Sequence, residues 1–324
     1  MNEYIKQWNE VICNGSVDNT YKMAWARSIV ELCVEKDNPQ AEVIFDFKEI
    51  AKKYIKFYWN QEIFFGLIQS SSIKKSPVVL QKVQDMIENY YNNSKDRIPL
   101  RFERIENKLP QDELQKLIEA VAKDLRGNVC WRFLNVGQET YELYTLDDKK
   151  EKVFIDVEKV VLLKEYSDLL FQVINYRWTQ ILENFNTSPK ISMKVRAVNG
   201  DKEINRKNLK EFHKYLNYEF KDGVIRCFHC GERIEEGQIS VDHVIPWSFM
   251  FSDDLWNLVY CHRSENSSKS NSVIGEDGIK KLEERNRRLL ESFEIEGVDG
   301  KIIDEFRLAI EKDYVRQFWI GAKG

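Results

Sequence analysis

The sequence predicts an α+β chain: a mostly helical N-terminal region with a few short strands, then a small mixed module, then C-terminal helices. Three observations carry this. Apolar residues recur at helical spacing through about the first 125 residues. The period then shortens to that of strands between residues 129 and 155. Farther on, Cys227, Cys230 and Cys261 share the 45-residue window Cys227–Asn271 with His229, His243 and His262, three of only four histidines in the chain.

Trp25, Ile29, Leu32 and Cys33 place one apolar face on a helix within Tyr21–Glu35. Asp46 and Glu49 form a capping box ahead of Ile50, Tyr54, Phe57 and Tyr58. Ser70–Lys75 is a polar connector, and Ser76-Pro77 is a cap followed by proline at a first helical position. Pro110 opens a helix with Asp112 and Glu113 in its first turn, and Gly127 closes it. Val129–Leu134, Glu139–Thr145 and Lys152–Ile155 read as strands, with Asp147-Asp148 turning between the last two. One long helix is expected over Glu158–Phe185, broken by Pro189, and two more over Ile279–Phe293 and Ile302–Trp319. The N-terminal aromatics Trp25, Phe57, Tyr58, Trp59, Phe64 and Phe65 read as core rather than as base-stacking residues.

The chain has 324 residues, 43% apolar and 31% charged, enough for two domains with packed cores and against wholesale disorder. A net charge of −4 excludes a histone-like basic protein but not an enzyme whose positive charge is confined to one face. The longest fully aliphatic run, Val160–Leu163, is far too short to span a bilayer, and Met1–Lys6 lacks the features of a secretion signal, so a cytoplasmic protein without membrane partners is expected. In that compartment the cysteines stay reduced, and Cys13, Cys33 and Cys130 read as small core residues. The segment 190–214 holds eight Lys or Arg against three acids, which suits either a solvated face or a phosphate-tracking surface. Its place directly before the cysteine–histidine window favours the second, with Lys202, Arg206, Lys207 and Lys210 as nucleic-acid contacts.

Within the window, Asp242 and His243 are adjacent in an apolar strand that Pro246 ends. Strand neighbours face opposite sides, so a carboxylate and an imidazole can address one phosphate from two directions. Asn257–Tyr260 reads as a second strand, after a loop with Asp253, Asp254 and Trp256. Ser264–Ser270 reads as a polar helix with Asn266 and Lys269 on one face. These are the groups phosphodiester hydrolysis needs: a neutral imidazole to take a proton from water, oxygen ligands for a hard divalent cation, and an ammonium for a phosphate.

The spacing resembles that of the HNH, or ββα-metal, endonucleases. The matching residues are Asp242-His243-x-x-Pro246, Asn257 fourteen residues after His243, and Asn266-x-x-Lys269, with Asn266 at the family's third signature position. By this resemblance His243 is the general base, and Asp242 and Asn266 hold one catalytic Mg²⁺ or Mn²⁺. Asn257 orders the loop between the strands, and Lys269 contacts a phosphate with Arg263 nearby. Taken singly, each residue also has a structural reading: a satisfied histidine, a turn cap, a solvated helix face. Cys227-x-x-Cys230-Gly231 resembles the family's zinc knuckle, with His262 or Cys261 as a third ligand and Glu265 an unusual fourth; the alternative is an ion-free knuckle held by packing. His229 has no evident role.

Tyr21–Ala26, Tyr58-Trp59 and the Asp242-His243-x-x-Pro246-Trp247-Ser248 run together are similar to those of bacterial HNH proteins associated with restriction or phage defence. The organisation this implies is an N-terminal recognition or assembly region (1–189), a basic connector (190–225), an HNH module (226–272) and a C-terminal helical brace (273–324). The implied activity is DNA cleavage to 5′-phosphate and 3′-hydroxyl ends. A homodimer would cut both strands, and a partner subunit of a defence system is a further expectation. The competing readings are a partner-activated, non-specific nicking effector and a DNA-binding scaffold subunit without turnover.

Overall fold

A computed structural model describes residues 2–71, 76–93, 98–186, 188–198, 208–269 and 272–323, the side chains of 267–269 excepted. The chain divides into two compact units, Met1–Asn186 with Ile191–Glu203, and Thr187–Lys190 with Ile204–Gly324.

The first unit is built on helices α1 (Glu3–Asn14), α2 (Tyr21–Glu35), α3 (Phe47–Phe65), α4 (Val78–Asn93), α5 (Phe102–Ile105) and α6 (Gln111–Gly127). The box ahead of α3 is formed: Asp46 accepts from Lys48 N, and Glu49 accepts from Asp46 N at 2.9 Å. A cap of this kind stabilises a helix by about 1 kcal/mol. Trp25, Phe57, Tyr58 and Trp59 are fully buried as core residues: Trp25 packs on Phe47, Phe57 and Tyr58 on Trp178, and Trp59 on Tyr90 and Phe102. Strands β1 (Val43–Asp46), β4 (Thr145–Leu146) and β5 (Lys152–Ile155) form an antiparallel sheet with β5 central, and β2 (Asn135–Val136) pairs with β3 (Glu139–Thr140) through a turn at Gly137, where φ is +59°.

Several sequence expectations are corrected here. Val129–Arg132 is a helix, α7, not a strand: Val129, Cys130 and Phe133 are buried while Trp131 is exposed, a helical rather than an alternating pattern. The long helix is two, α8 (Val157–Glu165) and α9 (Ser167–Glu183), separated at Tyr166, whose backbone leaves helical values (φ −99°, ψ 13°). Cys33 and Cys130 are buried, whereas Cys13 is only half-buried. The first part of the expected basic connector is instead helix α10 (Ile191–Val198) of the first unit, with Lys194 fully buried and its ammonium 5.6 Å from the Phe65 ring.

The second unit holds α11 (His213–Leu216), then the antiparallel pair β6 (Ile239–His243) and β7 (Leu258–His262), with α12 (Trp247–Met250) between them. Helix α13 (Arg263–Lys269) follows β7 directly, completing two strands and a helix. Three helices come after: α14 (Glu276–Ile295), α15 (Lys301–Glu311) and α16 (Tyr314–Lys323). The expected single helix over Ile302–Trp319 is split because Asp313 takes a left-handed conformation, φ +54°. These helices share one core with the strands, from Leu216, Cys227, Val244, Leu258 and Tyr260 to Leu282, Phe293, Phe306 and Trp319. Fully burying each large side chain of this kind contributes about 1.5–3 kcal/mol. Arg285 donates to the Leu258 carbonyl and Asn286 to that of Trp256 at 2.9 Å, so α14 grips the chain entering and starting β7. Among the described residues no helix is long and apolar enough to cross a membrane.

Candidate active site and metal centre

Register decides what each side chain of β6 faces. Asp242 pairs with Val259, Ser240 with Cys261 and His243 with Leu258. Residues opposite each other in an antiparallel pair share a face, so Ser240, Asp242 and Cys261 lie on one side and His243 on the other. Asp242 is 7% exposed, and its Oδ2 stands 3.2 Å from His229 Nε2. On the opposite face His243 Nε2 stands 2.9 Å from Asp253 Oδ1. A carboxylate accepts from the ring's N–H, so this contact keeps the proton on Nε2 and makes Nδ1 the basic nitrogen.

The loop between the strands is shaped to make that contact. Pro246 starts α12, and Phe251 ends it with φ +52°, its ring edge-on to Trp247 at 5.0 Å. The chain then turns back through Ser252, whose hydroxyl donates to Asp254. Asn257 is fully buried; its side chain accepts from Ile245 N at 2.7 Å and donates to Ile245 O at 2.8 Å. One amide thus completes both backbone groups of a residue beyond the end of β6, and ties the two ends of the loop together.

Asn266 projects from α13 toward β6. Its Nδ2 donates to Ser240 Oγ at 2.8 Å and lies 3.4 Å from the carbonyl of Val241, which precedes Asp242. With the nitrogen so engaged, the amide oxygen remains as acceptor. A buried carboxylate and an amide oxygen, with an imidazole against the carboxylate, are a donor set that fits a divalent cation. Lys269 ends α13, but its side chain lies outside the described residues. Arg263, exposed, opens the same helix.

A second cluster lies on the knuckle. The Cys227, Cys230, His262 and Glu265 ligand atoms are all within 4.8 Å of one another. Cys227 Sγ donates to Glu265 Oε2 at 2.6 Å, which in turn is 3.3 Å from His262 Nδ1; Cys230 Sγ is 3.5 Å from the same nitrogen. Burial, with the hydrogen bond to Glu265, pushes the Cys227 thiol above its ordinary range, and the same bond holds the Glu265 carboxyl below its own. Gly231, at φ +80°, turns the knuckle, and Phe228 N donates to Tyr260 O, anchoring it on β7. Strand alternation sends the neighbours His262 and Cys261 to different places: His262 lies in this cluster, while Cys261 lies with His229 and Asp242 in the other. The position noted in the sequence as an unusual ligand, Glu265, is the fourth member.

Of the basic residues named from sequence, Lys202, Arg206 and Lys207 lie outside the described residues. Lys210 is exposed and lines a cavity of about 580 Å³ together with His213 and the β6 residues Ile239, Ser240 and Val241. Burial and the Lys210 charge push the His213 imidazole below its usual value. His229 and Asp253, to which the sequence assigns no role, touch Asp242 and His243 respectively. Their only sequence signal was residue type in a crowded window.

Residues 227–273 match the model of the family described as HNH endonuclease. The chain therefore carries an HNH endonuclease domain, a metal-binding, nuclease-like module in which the match coincides with β6, β7, α13 and both ligand clusters. No curated protein matches the chain.

Proposed function

We propose that this protein is a metal-dependent endonuclease that hydrolyses phosphodiester bonds of DNA, leaving 5′-phosphate and 3′-hydroxyl ends. One arrangement carries the reading: Asp242 and His243 sit side by side at the end of β6 on opposite faces, with Asn266 tied to the Val241 carbonyl and His243 paired with Asp253. Asp242 and the Asn266 oxygen hold the cation, Mg²⁺ or Mn²⁺. When bound, it supplies positive charge against the negative charge that develops on the phosphoryl and departing oxygens. His243 takes the proton from the attacking water at Nδ1, and Asp253 keeps the ring oriented and stabilises it once protonated. Asn257 holds the loop that delivers Asp253. Lys269 and Arg263 contact phosphates near the cut, and Lys202, Arg206, Lys207 and Lys210 contact the strand leading to it.

Cys227, Cys230, His262 and Glu265 hold a structural Zn²⁺ that braces the knuckle. The first unit serves recognition or assembly, and the biological role is restriction or anti-phage defence, on the likeness of its flanking runs to such proteins. One site cuts one strand, so a double-strand break requires a homodimer or two successive nicks.

The test compares wild-type and His243→Ala protein on supercoiled plasmid with EDTA, Mg²⁺ or Mn²⁺. Metal-dependent cutting that the variant loses is the expected result. Folded protein that leaves plain and modified DNA intact under all conditions would overturn it in favour of a partner-activated effector or a non-catalytic subunit. Neutralising Lys202, Arg206, Lys207 and Lys210 together weakens DNA binding and flattens its salt dependence by up to about four counterions; an unchanged slope removes them from the interface.

A further inference from the structure

His229 occupies the turn of the knuckle between Cys227 and Cys230, yet it is not part of the cysteine cluster. Its Nε2 is turned to the other side, onto Asp242. The ring is held there: the neighbouring Phe228 is edge-on to it at 5.4 Å, Phe228 N is bonded to Tyr260 O, and Lys281 caps the Phe228 ring at 4.9 Å. The His229, Asp242 and Cys261 ligand atoms all lie within 4.8 Å of one another. Two ligands about 2.1 Å from one ion are roughly 3.0 Å apart at an octahedral angle and roughly 3.4 Å apart at a tetrahedral one. The 3.2 Å between His229 and Asp242 falls in that interval.

We propose that His229 is a nitrogen ligand of the same divalent cation that Asp242 holds, and that it makes this site select a borderline transition-metal ion, Mn²⁺ or a later one, over Mg²⁺. The proposal rests on the reading of Asp242 as a metal ligand. Its physical basis is ligand type. Mg²⁺ favours oxygen ligands and retained water, so an imidazole adds little to its binding, whereas first-row transition ions gain from nitrogen. The knuckle therefore has two tasks in one five-residue turn. Its cysteines close the structural cluster on one side, and its histidine completes the catalytic ion's shell on the other.

The experiment uses full-length protein with the knuckle loaded with zinc. Mn²⁺ binding is measured by EPR of the free ion and Mg²⁺ binding by competition, for wild type, His229→Ala, His229→Gln and Asp242→Asn. Zinc content equal to wild type in the two His229 variants shows that the knuckle has formed. The expected result is that both lose at least the roughly 10- to 100-fold in Mn²⁺ affinity that removing an outer-sphere partner costs, and less than about threefold in Mg²⁺ affinity. Pulsed EPR of bound Mn²⁺ shows an imidazole nitrogen coupling in wild type that both variants lack. Equal losses for the two ions, with His229→Gln restoring both, would mean that His229 only orients Asp242 by a hydrogen bond, and would overturn the proposal. So would unchanged affinities or a persisting nitrogen coupling. If Asp242→Asn keeps wild-type affinity for both ions, the underlying reading of Asp242 fails instead, and the proposal with it.

Discussion

His243 Nε2 lies 2.9 Å from Asp253 Oδ1, ten residues further along the chain and across the loop between β6 and β7. Both side chains are mostly shielded from solvent, so the carboxylate acts on the ring through little water. The pair sets the tautomer of the imidazole that the proposed mechanism uses as base.

Asp253→Ala is therefore expected to lower kcat about 10- to 100-fold with KM changed less than about threefold, because the substrate does not need Asp253 to bind. Single-turnover plasmid cleavage at saturating protein measures this. Asp253→Glu should recover part of the rate; equal losses in both variants, with a lowered melting temperature, would make Asp253 a loop-folding residue only.

Asn257 bonds both backbone groups of Ile245 from a fully buried position. Asn257→Ala leaves a donor and an acceptor buried without partners, a cost of about 2–5 kcal/mol. Urea unfolding followed by tryptophan fluorescence should show that loss in the transition of the second unit. Asn257→Asp, which keeps only the acceptor, should fall between the two.

Removing metal from the Cys227, Cys230, His262 and Glu265 cluster should lower the melting temperature of the second unit by about 10 °C or more. The check is differential scanning calorimetry before and after chelation, with zinc content measured alongside. Metal uptake must expel the proton that Cys227 shares with Glu265, so binding releases acid and weakens as pH falls. Glu265→Gln should keep the fold with metal affinity reduced about 10-fold or more; unaltered affinity would reduce the site to three protein ligands.

Asp222 precedes the knuckle and accepts from both terminal nitrogens of Arg226 and from Val224 N. Those hydrogen bonds, Arg226 first, pull its carboxyl down to about 2. Because the folded value lies below the unfolded one, the contribution to stability is complete above the ordinary aspartate range and is lost as pH falls through about 2. NMR titration of the carboxyl carbon should place Asp222 there, and Arg226→Ala should return it to the ordinary range. An unmoved midpoint in that variant would assign the shift to the Val224 N–H instead.

Much of the secondary structure was legible because its signals are local. The capping box at Asp46 and Glu49, the helix between Pro110 and Gly127, and the strand Lys152–Ile155 each rest on residues within one or two turns of one another. The expectations that failed were ones where local pattern was ambiguous. Val129–Leu134 is short and apolar enough to suit either period, and neither Tyr166 nor Asp313 carries a sequence mark for leaving the helix.

The sequence alone determined the chemical inventory of the module: an adjacent Asp242-His243 at a strand end, Asn257, Asn266, and a Cys-x-x-Cys turn, all at intervals that two strands and a helix accommodate. Only the tertiary structure decided how those groups are partnered. His229 meets Asp242 across 13 residues, Cys227 meets Glu265 across 38, and Cys261 and His262, neighbours in sequence, go to different clusters. Each of those outcomes depends on the register of β6 against β7 and on where the knuckle docks on β7. A shift of one residue in that pairing would turn Asp242 to the face opposite Cys261 and part the two.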